Sequence, residues 1–158
     1  MITVRKILGR KGGGVWTIGP QETVYEALQL MAEKDVGALL VVDGESVVGM
    51  FSERDYARKV ILKGKSSKST FVAELMSTPV FYIEPDKTIE DCMALMTAKR
   101  MRHLPVLDKG VLAGMVSIGD VVNALITEQK VAIRDLENYI TGHGYAAETD
   151  QPVVLGRD

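Results

Sequence analysis

A serine followed three residues later by an aspartate occurs at two corresponding places in this chain. Residues 114–120 read Gly-Met-Val-Ser-Ile-Gly-Asp, and residues 49–55, which lie 65 positions earlier, read Gly-Met-Phe-Ser-Glu-Arg-Asp. Each motif follows a β-type apolar run and begins a stretch with helical patterning, so each hydroxyl lies at a helix N-terminus. Free backbone N–H groups and the positive end of the helix dipole suit that position for a phosphate or a sugar hydroxyl. The two motifs predict a nucleotide-sensing module built from two copies of one unit.

The same spacing also has a purely structural interpretation. A Ser N-cap with an acid at the third helical position forms a capping box, which stabilises a helix by about 1 kcal/mol. Residues 23–26 and 88–91 have this spacing without any sign of a site. Two features favour ligand binding: the acid of the motif is Asp in both copies, and Gly49 and Gly114 permit close backbone approach.

Basic residues distinguish the two copies. Arg54 precedes the first motif aspartate at a helix N-terminus, while its counterpart Gly119 has no side chain, so the two sites should not be equivalent. Arg102 and His103 begin a predicted strand at positions where residues 37–38 of the first copy are Gly-Ala. Basic side chains at only one of two matched positions indicate anion binding rather than a requirement of the fold.

The chain is an internal duplication, because residues 80–122 align without a gap on residues 15–57. Each unit has the pattern of an α/β fold in the order β-α-β-β-α, and the two pseudo-symmetric repeats are expected to pack face to face. The predicted divisions are an N-terminal helix with a glycine-rich connector (1–14), repeat 1 (15–62), a linker (63–79), repeat 2 (80–126), a C-terminal helix (127–142) and a tail (143–158).

The predicted C-terminal helix belongs to neither repeat. Its apolar residues Val131, Ile133, Leu136 and Ile140 mark a face that needs a surface to bury against, and a subunit interface is expected. The glycine-rich residues 9–14 follow a predicted helix and lack the Gly-Lys-Ser/Thr ending of a phosphate loop, so they are interpreted as a flexible connector or a mobile flap.

Composition excludes several classes of protein. A net charge of −2 over 158 residues argues against a nucleic-acid binder, and the single Cys92 excludes an internal disulfide. No apolar run approaches the length of a membrane span and the N-terminus has no signal peptide pattern, so a cytoplasmic protein is expected.

Two copies of this pattern resemble a pair of CBS domains, the Bateman module, over residues 15–126. The resemblance rests on residues 36–43 with 49–55 and on residues 101–108 with 114–120. It implies a non-enzymatic energy- or redox-state sensor that binds adenine nucleotides in two clefts between the repeats. AMP and NAD(H) are favoured, with ATP or ADP as further candidates, and the resemblance also implies a homodimer with an unknown target protein.

The resemblance also implies residue roles, in which the motif Asp binds ribose hydroxyls and the nearby Ser binds ribose or phosphate. One site comprises Ser117, Gly119 and Asp120 with Trp16, Val36, Gly37 and Ala38, and with Arg102 and His103 reaching the phosphate. The other comprises Ser52, Arg54 and Asp55 with Phe81, Met101, Arg102 and His103.

Two rival functions remain. One is a structural interaction module without a ligand, in which both motifs only cap helices. The other is a hydrolase that uses Ser117, His103 and Asp120, although the chain has no Gly-x-Ser-x-Gly elbow and the first repeat has Ala38 in place of the histidine.

Overall fold

A computed structural model describes residues 1–12 and 14–141, so the predicted tail at residues 143–158 lies outside the described residues. The order of elements confirms an α/β fold of two repeats followed by a C-terminal helix. The elements are α1 (Val4–Lys11), β1 (Thr17–Ile18), α2 (Val24–Lys34), β2 (Ala38–Asp43), β3 (Ser46–Ser52), α3 (Glu53–Asp55), a π-helix (Tyr56–Ile61), α4 (Val72–Leu75), α5 (Ile89–Lys99), β4 (His103–Asp108), β5 (Val111–Ser117) and α6 (Ile118–Thr141).

The sheets of the two repeats differ by one strand. In the first repeat β1 pairs parallel to β2, which pairs antiparallel to β3. The second repeat has the antiparallel pair β4-β5, and its first predicted strand is reduced to a single parallel bridge between Ile83 and Val106. The N–H of Leu40 donates to the carbonyl of Trp16 (3.4 Å), but Pro105 takes the place of Leu40 in the second repeat. Proline has no N–H, so this bond between the first two strands is missing there.

Helices α2 and α5 begin at matched positions because the same capping box opens both. The Thr23 hydroxyl accepts from the Glu26 N–H, and the Thr88 hydroxyl accepts from the Asp91 N–H. Each helix then buries one face in the core of its own repeat, as its apolar spacing predicts. The buried residues are Val24, Ala27 and Met31 in α2 and Ile89, Cys92 and Met96 in α5.

Cys92 is the small core residue that its position on α5 predicts. It is fully buried, and this burial raises the pKa of its thiol to about 11. A thiol of that pKa remains protonated at neutral pH and is a weak nucleophile.

The core of each repeat is completed by the helix that precedes the other repeat. Ile2, Val4 and Ile7, at and within α1, pack into the core of the second repeat. Val72 and Leu75 of α4 pack into the core of the first repeat. Residues 1–14 and 63–79 are predicted from the sequence to lie outside the repeats, whereas the structure uses part of each segment to complete a core.

Backbone hydrogen bonds hold these exchanged helices in place. The Val4 N–H donates to the carbonyl of Lys87 at 2.8 Å, and the Val72 N–H donates to the carbonyl of Glu22 at 2.9 Å. The residues just before α2 therefore pair with the start of α4, and those just before α5 pair with the start of α1. This reciprocal exchange ties the two repeats together.

Gly49 and Gly114 permit close approach, but of protein side chains. A Cβ atom at Gly114 would lie 2.7 Å from Cδ2 of Leu8, and a Cβ at Gly49 would clash with Sδ of Met76. The interpretation that these glycines admit a ligand is therefore wrong. Leu8 lies in α1 and Met76 directly follows α4, so the glycines let the exchanged helices pack against β5 and β3.

The second-repeat helix and the predicted C-terminal helix form one continuous element, α6, with 24 residues. The predicted division between residues 126 and 127 falls inside it. From Gln129 to Thr141 every residue is exposed.

None of the helices within the described ranges combines the length and apolarity needed to cross a bilayer. In the first repeat, the stretch with helical patterning that follows the motif serine is divided into the short α3 and the π-helix.

Candidate functional site

Each Ser-x-x-Asp motif lies where an antiparallel strand pair meets a helix N-terminus. Ser52 pairs with Ala38 across β2-β3, and Ser117 pairs with His103 across β4-β5. The helices that follow are fixed to the strand starts, since the Ile118 N–H donates to the carbonyl of Arg102 at 2.8 Å. The Glu53 N–H makes the equivalent bond to Gly37 at 3.1 Å. The local fold therefore sets each motif beside the first residues of its central strand.

Protein groups occupy both carboxylate oxygens of Asp55. Oδ2 accepts from the N–H and the hydroxyl of Ser52, at 3.0 and 3.1 Å. Oδ1 accepts from the Ser77 hydroxyl at 2.9 Å and forms an ion pair with Lys59 Nζ at 3.0 Å. The side chain is only 12% exposed. This aspartate is held as a buried structural anchor.

Asp120 is engaged on one side only. Its Oδ2 accepts from the Ser117 N–H at 2.8 Å and from Lys11 Nζ at 2.7 Å. Among the residues that the structure describes, none donates a hydrogen bond to Oδ1 of Asp120. The side chain is 21% exposed, more than that of Asp55. The two motifs are alike in sequence, but only the second has a carboxylate oxygen, Oδ1 of Asp120, that receives no hydrogen bond from the described residues.

Lys11 pairs with Asp120 and helps to keep the carboxylate of the second motif ionised. Its ammonium also donates to the carbonyl of Met115 at 3.0 Å, so it bridges the end of α1 and β5. Burial acts to raise the pKa of Asp120, but the hydrogen bonds from Lys11 and Ser117 outweigh burial and hold the pKa below its usual value. Asp120 is therefore ionised at neutral pH and can accept hydrogen bonds from a diol.

His103 is neutral at pH 7. Burial lowers the pKa of its imidazole, and the charges of Lys11 and Arg102 act in the same direction, against those of Asp120 and Glu53. The fixed positive charges near the second motif are consequently those of Lys11 and Arg102, with the imidazole as a neutral donor or acceptor.

Three arginines from both repeats line a cleft of about 480 Å³. Arg54 comes from the first repeat, while Arg100, Met101 and Arg102 come from the chain between α5 and β4. The rest of the lining comes from α5 and the first turns of α6 and is mainly apolar. Of the predicted site residues, the structure brings Arg54, Met101 and Arg102 together here, in a place that can attract an anion.

The structure places the remaining predicted residues at several points around the motifs. Gly37 lies close to His103, since a Cβ at Gly37 would be 3.9 Å from the imidazole Cε1. Val36 packs against the core of the first repeat, and Ala38 is buried at the start of β2. Gly119 lies two residues after Ser117, in the first turn of α6.

Two predicted aromatic residues contact lysines of their own repeats. Lys34 Nζ lies 4.4 Å from the ring centroid of Trp16, and Lys99 Nζ lies 4.6 Å from that of Phe81. The two cation–π contacts lie at equivalent positions of the two repeats. Neither ring lines the arginine cleft.

The lysines that pair with the two motif aspartates, and the serine that donates to Asp55, were not among the predicted site residues. Lys59 follows Asp55 by four residues on one helical face, which is a local signal that a sequence pattern could have given. Lys11 and Ser77 give no such signal, because each comes from a distant segment.

The hydrogen bonds of a hydrolase triad are not formed. The Ser117 hydroxyl accepts from the Asp120 N–H at 3.1 Å as a helix cap, and the Asp120 carboxylate pairs with Lys11. Within residues 1–12 and 14–141, His103 donates no side-chain hydrogen bond to either residue. The same residues contain no group of three His, Cys, Asp or Glu side chains that could hold a metal ion.

The fold and the paired motifs define a tandem-repeat α/β module. The family model for the CBS domain matches residues 2–61 and 72–127, which together make up more than half of the chain. The chain therefore belongs to the CBS-domain family and contains two CBS domains. Both matches include an exchanged helix, α1 or α4, ahead of the repeat that follows it in sequence.

Known proteins of this family resemble the chain over most of its length. It is 42% identical over 149 residues to the mitochondrial CBS domain-containing protein CBSX3 of Arabidopsis thaliana, covering 90% of this chain and 71% of that protein. A solved structure of a protein with CBS domains from Burkholderia ambifaria is 52% identical, with a TM-score of 0.78 and coverage of 81% and 96%.

A more distant neighbour was solved with ligands. The CBS domain pair of protein MJ0100 has a TM-score of 0.72 and 20% identity, and the match covers 81% of this chain and 98% of that one. It was crystallised in complex with 5′-methylthioadenosine and S-adenosyl-L-methionine. At this identity the similarity shows a shared fold. CBS-domain pairs are regulatory modules, and the MJ0100 pair is one that binds adenosine-containing ligands.

Proposed function

We propose that this chain is a non-enzymatic sensor that binds an adenine nucleotide at the second motif. The observation that carries the proposal is the difference between the two aspartates. Asp120 leaves Oδ1 without a donor among the described residues, whereas both oxygens of Asp55 are occupied by Ser52, Ser77 and Lys59. A carboxylate can accept hydrogen bonds from a ribose diol, and of the two motif aspartates Asp120 is the one with an oxygen that the described residues leave without a donor.

The charges around this motif favour a ligand that carries phosphate. Lys11 lies against Asp120, and Arg102 is near enough to influence the pKa of His103. AMP and NAD(H) are the favoured ligands, with ATP and ADP as further candidates, and Arg54 in the adjacent cleft adds positive charge. A CBS pair of this kind would act through a ligand-dependent change in its conformation or in the target protein that it binds. We further propose that the protein is a cytoplasmic homodimer.

A structural interaction module without a ligand is the second candidate. It is favoured by the helix caps, because Ser52 and Ser117 each satisfy a backbone N–H in the structure. On this view the motifs stabilise helices and bind nothing.

Thermal unfolding in the presence of nucleotides separates these candidates. We expect AMP or NAD(H), at about 100 times its dissociation constant, to add roughly 2.7 kcal/mol and raise the melting temperature by several degrees. ADP, ATP and S-adenosylmethionine complete the panel. If no adenine compound changes the midpoint at millimolar concentration, the interaction module is the better description.

Replacement of Lys11 tests the role of its charge. In Lys11→Met we expect AMP to bind about tenfold or more weakly, with adenosine little affected, because a charge-assisted hydrogen bond to phosphate contributes about 1.5–3 kcal/mol. Calorimetric titration of both ligands measures this difference. Lys6→Met is the control, since Lys6 is an exposed lysine of the same helix. If both ligands bind more tightly to Lys11→Met, then Lys11 blocks the site instead of contributing to it.

A further inference from the structure

The C-terminal half of α6 extends away from the rest of the protein. Residues 129–141 are exposed on every side of the helix, whereas α6 buries Val121 and Ala124 nearer its start. An isolated helical segment of about 12–15 residues is marginally stable in water without tertiary contacts. The buried start of α6 supplies the nucleus for this projecting segment, but a partner surface would add the tertiary packing that it lacks among the described residues.

Helix α6 carries an apolar stripe with coiled-coil spacing, which begins at Val122 and continues into the projecting segment. Its positions follow one another at intervals of four and three residues, with Ile126, Ile133 and Ile140 at a positions. The apolar members are between 44% and 74% exposed. We call this set the α6 stripe, and its members are Val122, Ile126, Gln129, Ile133, Leu136 and Ile140. Val131, which was predicted to share a face with Ile133, is two residues from it and so lies about 200° away around the helix.

We propose that the α6 stripe binds the α6 stripe of a second copy of this chain, as a parallel two-stranded coiled coil. This proposal names the interface of the homodimer proposed above and rests on that homodimer, but it does not depend on nucleotide binding. β-branched Ile at the a positions with Leu136 at d favours two parallel strands. Gln129, the one polar member, would face Gln129 of the second copy, where the two amides can pair and fix the register.

The flanking charges agree with the parallel arrangement. Lys130 and Glu137 occupy e positions, and the g positions that they would face across a parallel pair hold Leu125 and Ala132. No like charges meet in that arrangement. An antiparallel pair with the stripe fully overlapped would place the two copies of Lys130 against each other at its centre.

The size of the stripe is sufficient for a specific contact. Covering its five apolar side chains on both copies removes roughly 1,000 Å² of surface, which is about the minimum expected of a biological interface. The stripe continues toward the repeats without obstruction, since Val122 and Ile118 are 44% and 46% exposed.

Sedimentation of matched variants tests the interface. We expect the wild type to be a dimer and Ile133→Lys to be a monomer at the same concentration, because the substitution buries a charge in the helix pair. Val131→Lys is the matched control and should remain dimeric, since it introduces the same lysine at a position off the stripe. A monomeric wild type overturns the homodimer, and a dimeric Ile133→Lys overturns this interface. The nucleotide response of Ile133→Lys, measured by thermal shift, reports on the proposed ligand site separately.

Disulfide cross-linking tests the orientation. In a Cys92→Ala background, which copies the Ala27 of the first repeat, we expect Gln129→Cys to form an intermolecular disulfide under mild oxidation. Only an in-register parallel pair brings the two Cα atoms within the roughly 4.4–6.8 Å that a disulfide requires. Val131→Cys in the same background should remain reduced. A dimer that does not cross-link at position 129 overturns the parallel arrangement.

Discussion

Asp120→Ala is expected to abolish the thermal response to the adenine nucleotide that stabilises the wild type. The substitution removes the one motif carboxylate with an oxygen left free by the described residues, so a shift of several degrees should fall to within experimental error. It also frees Lys11, which would pair with phosphate but cannot replace an acceptor for ribose hydroxyls. Thermal shift and calorimetric titration measure the loss.

Asp55→Ala is the matched control, because it makes the same change in the other repeat. We expect it to lower stability by about 1–3 kcal/mol, since it leaves Lys59 and Ser77 without the carboxylate that both contact. The increase in melting temperature with nucleotide should nevertheless persist. If Asp55→Ala loses the ligand response and Asp120→Ala keeps it, the site is assigned to the wrong motif.

Ile7→Ala is expected to destabilise the second repeat although the residue precedes the first. Ile7 is 6% exposed and packs from α1 into the core of the second repeat, so its truncation should cost about 2–5 kcal/mol. Denaturant unfolding measures this cost, and hydrogen exchange should show faster exchange first in β4 and β5. Because α1 also carries Lys11, nucleotide affinity should fall as well.

Arg10→Ala provides the control for this second prediction. Arg10 is exposed on the same helix, so its replacement should change stability by no more than about 0.5 kcal/mol. A loss below about 1 kcal/mol in Ile7→Ala, or faster exchange confined to β2 and β3, would contradict the exchange of helices between repeats.

Much of the fold could be predicted from local patterns. The 65-residue repeat, the capping boxes at Thr23 and Thr88 and the apolar faces of α2 and α5 are all written in residues a few positions apart. Even the difference between the sheets has a sequence signal, since Pro105 cannot donate the hydrogen bond that Leu40 makes.

The exchange of helices had only a weak signal in the sequence. Val4 and Ile7 resemble Val72 and Leu75, but the two segments are 68 positions apart instead of 65 and so fell outside the ungapped alignment. The lengths of these two segments could not show which core each helix completes, because the two repeats have similar apolar surfaces. The packing of Leu8 on Gly114 and Met76 on Gly49 gives the assignment.

The sequence by itself determined the two Ser-x-x-Asp motifs, their helix caps and the unequal basic residues around them. Only the tertiary structure decided that the motifs are unequal as acceptors. Asp55 is saturated by a lysine one turn away and by a serine after α4, whereas Asp120 meets Lys11 from 109 positions away and keeps one oxygen free of the described residues. A cap depends on residues within one helical turn, so a short pattern specifies it. The environment of a carboxylate depends on which distant segments pack beside it, and only the folded chain brings those segments together.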